Sequence, residues 1–91
     1  MNKDLNKLMS RYAELIRFHV IARNDSELNG TKYDYRFLDQ AHGIAGELLR
    51  EHNVFAQVRG LYHGTGETAV FYAGKRAWEK HMPPFYEIAC F

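Results

Sequence analysis

The chain has 91 residues, with 12 basic and 11 acidic side chains, for a net charge of +1 at pH 7 with neutral histidines. A composition 46% apolar and 25% charged is that of a folded single domain and excludes a disordered chain, which lacks large apolar residues. Near-neutral charge excludes binding to polyanions by bulk attraction, and a single cysteine excludes an internal disulfide.

The N-terminus carries charges throughout and has no apolar leader, and no apolar run approaches the ~18 residues that cross a bilayer. The chain is therefore expected to be cytoplasmic, with no membrane contact. One feature departs from the average: six Phe, six Tyr and one Trp make the chain 14% aromatic.

Leu5, Leu8, Met9, Tyr12, Leu15, Ile16 and His19 recur at steps of three and four, which predicts a helix from about Lys3 to Arg23. Its last turn, Phe18 to Ala22, is apolar on most sides and calls for burial all round or for cover by another chain. Asn24 to Lys32 reads as a loop, with Asn29-Gly30 as its turn signal. Thr31 or Asp34 would cap a second helix. That helix runs to about His52 and presents Phe37, Leu38, Ala41, Ile44, Ala45, Leu48 and Leu49 on one face.

From Val54 to Tyr62 the pattern becomes β-branched and aromatic. His63 to Glu67 is a glycine-containing hairpin loop, and Thr68 to Ala73 is the returning strand. Gly74 to Pro84 is a connection, and Phe85 to Phe91 is a last strand. Helices followed by strands predict an α+β domain spanning residues 1–91, two N-terminal helices packed on one face of a three-stranded antiparallel sheet (α-α-β-β-β). Tyr12, Phe37, Phe55, Phe71 and Phe85 are the expected aromatic core. At ordinary density the radius of gyration would be roughly 12 Å.

Few residues suggest chemistry. The histidines at 19, 42, 52, 63 and 81 show no ligand spacing, and no HExxH is present. Gly64-Thr65-Gly66 lacks the lysine and the strand-to-helix context of a phosphate loop. Cys90 lies among apolar neighbours and reads as a buried small hydrophobe, and His19 as a hydrogen-bonded core or interface histidine. No catalytic, cofactor-binding or metal-binding residues are expected. A small enzyme would need His63, Glu67 and His81 gathered in one pocket.

Two stretches suggest contact with a partner. Arg36, Gln40, Gly43, Glu47 and Arg50 fall on one helical stripe opposite the apolar face, and glycine there lets another backbone approach. Arg59, Lys75, Arg76, Trp78 and Lys80 mix cations with an aromatic, the composition of interface hot spots. The last strand is apolar on both faces except at Glu87, so it asks for cover on both.

These features predict a small non-enzymatic binding protein, an inhibitor or regulator that docks on a protein target and associates with its own copies. The alternative is a nucleic-acid or nucleotide-binding module using Arg59, Lys75, Arg76 and Trp78. In length and character, though in no motif, the chain resembles small phage and mobile-element accessory proteins, including anti-CRISPR-type inhibitors. That resemblance implies an anti-defence role exerted by binding.

Overall fold

A computed structural model describes residues 3–60 and 66–90. Its elements are α1 (Lys3–Asn29), α2 (Arg36–His52), β1 (Phe55–Arg59), β2 (Thr68–Tyr72), α3 (Lys75–Glu79) and β3 (Tyr86–Ala89). The α-α-β-β-β plan is present, with one short helix added before the last strand.

Helix α1 buries its stripe of Met9, Tyr12, Leu15, Ile16 and His19, together with Ala13 and Val20. Lys7, Arg11, Glu14 and Arg17 stay outside. The helix continues two turns past Arg23, through the stretch expected to be a loop. Polar side chains hold those turns: Asn29 Nδ2 donates to Asp25 Oδ1 (2.6 Å), Thr31 Oγ1 to Asp25 Oδ2 (3.0 Å), and Ser26 Oγ to the Thr31 carbonyl (2.7 Å). Gly30 then ends the helix at φ 68°, with its N–H bonded to the Ser26 carbonyl. The Asn-Gly pair is thus a helix stop rather than a loop centre. Phe18 and Ile21 remain exposed, so the chain does not bury that stretch all round.

Asp34 starts α2 from one position before the N-cap residue Tyr35. Its Oδ1 accepts the Arg36 backbone N–H at 3.0 Å, while Thr31, the other candidate, is engaged with Asp25. At the far end Asn53 turns left-handed (φ 52°). The N–H groups of Asn53 and Val54 return to the Leu49 and Leu48 carbonyls, and the chain leaves directly for β1.

The three strands form an antiparallel meander in the order β1-β2-β3. Ala56 and Val58 lie opposite Phe71 and Ala69, and Ile88 lies opposite Ala69. This face packs on both helices: Met9, Tyr12, Leu15, Ala41 and Leu48 close on Ala56, Ala69, Phe71 and Cys90. The Tyr12 ring meets Phe71 edge-on at 5.8 Å. Only these two of the five expected core aromatics are fully buried. Phe37 and Phe55 sit at the margin, and Phe85, one residue before β3, is 46% exposed.

The Gly74–Pro84 connection contains α3, which lies on that far side and buries Ala77. Helix α1, at ~1.5 Å per residue, matches the longest dimension of a 41 × 24 × 19 Å molecule. That length raises the radius of gyration to 13.6 Å, above the value for a sphere-like packing. Residues 61–65, where the end of the first strand and most of the connecting loop were expected, and Phe91 lie outside the described residues.

Gly60 is the position where the hairpin demands glycine. It has φ 93°, and a Cβ there would stand 2.3 Å from the Gly66 carbonyl oxygen. Gly43, in contrast, sits mid-helix with nothing within 4 Å of a Cβ. Gly60→Ala is expected to lower the unfolding free energy by at least ~1 kcal/mol, and Gly43→Ala to raise it by up to ~1 kcal/mol. Urea unfolding of the two variants against the parent checks both signs.

Candidate partner-binding surfaces

Helix α2 turns Arg36, Gln40, Gly43, Glu47 and Arg50 outward, and all five are exposed. Arg36 is not free to meet a partner unaided. Its guanidinium is paired with Asp34 (2.8 Å), and hydrogen bonds from Arg36 pull the Asp34 carboxyl down to about 2. Arg50 folds back over Gly46, whose missing Cβ would lie 2.9 Å from the guanidinium. The stripe is therefore a solvated face with one open spot, at Gly43.

The second set gathers on the far side of the sheet. Phe55, Gln57, Arg59, Thr68, Val70, Tyr72, Glu87 and Ala89 all project there, as the strand register requires. Arg59 Nη1 reaches over β2 to Glu87 Oε1 at 3.1 Å. Trp78 of α3 packs on Phe55 with ring centroids 5.0 Å apart. Val70, between these two contacts, is 1% exposed.

What remains open is a groove of about 500 Å³ bordered by Arg59, Tyr72, Trp78, Met82 and Glu87. Trp78 is 40% exposed and Met82 53%. Lys75, Arg76 and Lys80 of the same connection are exposed, and among the described residues none of them is in an ion pair. The two candidate sets thus occupy opposite sides of the domain. The α2 stripe belongs to the helical layer, and the Arg59–Lys80 set to the outer sheet face.

A buried polar cluster escaped sequence reasoning. Arg23 Nη2 meets Glu67 Oε1 at 3.0 Å, joining α1 to the residue before β2. Glu67 is buried. Beside it the Tyr33 hydroxyl lies 3.0 Å from His19 Nε2, so His19 is the hydrogen-bonded core histidine that its place in the stripe implied. Burial first, and then the Arg23 charge, lower the His19 pKa, with Glu67 opposing them. No local pattern announces an ion pair between residues 44 positions apart.

The cluster does not assemble a nucleophile. Cys90 is buried, and burial raises its thiol pKa, which disfavours the thiolate that a nucleophile needs. Glu67 is committed to Arg23, whereas His81 borders the outer groove, so these two do not meet. His63 lies outside the described residues. Among the described residues no group of three His, Cys, Asp or Glu side chains is placed to hold a metal ion, and no helix is long and apolar enough to cross a membrane. Compared with protein-family models, curated proteins and solved structures, the chain matches none.

The lowered His19 pKa has a definite sign. The folded chain prefers the neutral ring, so the unfolded chain takes up a proton first as pH falls. The stability this preference contributes is whole above the ordinary value of 6.5 and is lost as pH drops through the lowered one. Urea melts between about pH 7.5 and pH 5 should show a fall in unfolding free energy that shrinks in His19→Gln. An equal fall in both proteins would refute the assignment.

Proposed function

We propose that this chain is a non-enzymatic binding protein that docks on an acidic patch with an apolar centre on a protein target, through the outer face of its sheet. The observation that carries this reading is a half-exposed Trp78 braced on Phe55 beside exposed Met82, in a connection whose Lys75, Arg76 and Lys80 are exposed and, among the described residues, in no ion pair. Tryptophan and arginine are enriched among the residues that dominate interface energetics, tryptophan because it buries a large rigid area at low entropy cost. A ring already held against Phe55 loses still less freedom on binding. The three cations supply an approach field that an acidic surface matches.

Nucleic acid would use the same residues, but the arrangement favours it less. Arg59 is tied to Glu87, and Phe55 occupies part of the Trp78 surface that a base would stack on. A target of the kind bound by small mobile-element inhibitors agrees with the chain's length and character. Such an inhibitor would work by steric and electrostatic occlusion, with the α2 stripe of Arg36, Gln40, Gly43, Glu47 and Arg50 left facing solvent.

Affinity capture from lysate of the source cells, with the parent chain beside Trp78→Ala and Lys75→Glu/Arg76→Glu, tests the proposal. The parent is expected to retain a specific protein. Truncating Trp78 should cost about 2 kcal/mol of binding, and reversing the two charges should slow association. Capture of nucleic acid with steep salt dependence, or of a protein held equally by all three chains, would contradict it.

A further inference from the structure

Strand β1 ends the sheet, and its free edge is bare. The Cys90 N–H donates to the Glu67 carbonyl at 2.8 Å, which identifies the β2 residues whose backbone turns toward β3. Bonding residues alternate along an antiparallel ladder, so Ala69 and Phe71 bond toward β3, and Thr68, Val70 and Tyr72 toward β1. Through the register, the backbone groups of Phe55, Gln57 and Arg59 face β2. Those of Ala56 and Val58 point out of the sheet, and no turn, loop or side-chain bond among the described residues reaches them.

Edge strands that remain single are blunted by a charge, a proline or a bulge. At the opposite edge, β3 has Glu87 within it and Pro83-Pro84 just before it. Strand β1 has no proline and its register is unbroken; its one charge, Arg59, is turned across the sheet to Glu87.

An apolar groove of about 450 Å³ lies beside this edge. Phe55, Ala56, Gln57 and Val58 all border it. Side chains alternate between faces, so four consecutive residues meet one groove only along the strand edge. The helical wall includes Ile16 of α1 and Leu49 of α2, the latter 37% exposed. Ala45 adds little bulk to that wall, whereas the space at Gly46 is taken by the Arg50 guanidinium.

We infer that β1 pairs with β1 of a second copy of this chain, antiparallel about a twofold axis through Gln57, to make one six-stranded sheet. In this register Ala56 faces the partner's Val58 and Val58 faces the partner's Ala56, so every outward backbone group of these residues is bonded. Arg59 falls opposite the partner's Phe55 with its guanidinium turned away over β2 to Glu87, and no like charges oppose each other. Neighbouring registers are poorer. Centring on Ala56 calls on the Val54 N–H, already bonded to the Leu48 carbonyl. Centring on Val58 runs into Gly60, whose φ of 93° is not extended backbone. Centring on a residue also keeps both copies' helices on one side of the sheet.

Sedimentation equilibrium of the full chain tests this. A dimer of twice the 10.6 kDa chain mass is expected as concentration rises. Gln57 lies on the outer face at the axis, so Gln57→Lys and Gln57→Glu each set like charges against each other without touching the core. Each should weaken dimerisation several-fold, and mixing the two should restore a one-to-one heterodimer. Val58→Pro removes an outward N–H but no bond of the β1–β2 ladder, and it should be monomeric with unchanged circular dichroism. If that variant unfolds, the Gln57 pair decides. A parent monomeric at every concentration, or a dimer indifferent to both Gln57 substitutions, would overturn the inference.

Discussion

The contact between the α1 stripe and Phe71 is the constraint on which the rest of the molecule depends. Phe71 sits in the central strand, is fully buried, and meets Tyr12 edge-on. Burying one such ring contributes about 1.5–3 kcal/mol, and here it also fixes which face of the sheet is the core. Once Phe71 and Ala69 point at α1, Val70 and Tyr72 must point the other way, and their neighbours on β1 and β3 follow. Both long helices are used on the first face. The second receives only the five residues of α3, too few to cover three strands. Trp78, Met82 and Phe85 stay exposed as a consequence of that asymmetry.

The charges follow the same division. Arg23 with Glu67 ties α1 to the start of β2, Arg36 with Asp34 sets the first turn of α2, and Arg59 with Glu87 spans the outer face. Lys75, Arg76 and Lys80 are left without a counter-ion among the described residues. They lie in the same short connection as the exposed Trp78. Phe55 belongs to both proposed surfaces, since it braces Trp78 and borders the β1 edge. Pairing through β1 would therefore extend the outer face across two copies and couple self-association to target binding.

The helical stripes of Leu8–Met9–Tyr12–Leu15–Ile16 and Leu38–Ala41–Leu48 were legible, because a period of 3.6 is written in the residues themselves. A three-stranded antiparallel sheet was legible too, but its strand order was not, because the Gly74–Pro84 connection is long enough to set the last strand on either edge of the hairpin. The end of α1 was not. The turns from Asn24 to Asn29 carry no apolar stripe, and they persist through Asp25, Ser26, Asn29 and Thr31 bonding to one another. Helix α3 was hidden because five residues are too few to show a period. Phe85 was misplaced because it stands just before β3 rather than within it, and an aromatic states its size but not its burial. The Arg59–Lys80 surface could be suspected from composition. The Arg23–Glu67 pair could not, since its members are joined only by the fold.

Native-state hydrogen exchange tests the central claim, that the α1–β2 face carries the stability and the outer face is a lighter attachment. The amides of Ala69 and Phe71 are expected to exchange only through global unfolding, with urea sensitivity equal to that of the whole chain. The α3 amides whose bonds close its end, Lys80 and His81, should exchange through a smaller local opening of lower free energy. If Lys80 and His81 exchanged at the same free energy as Ala69 and Phe71, α3 would be part of the cooperative core. The division between a structural face and a docking face would then be wrong.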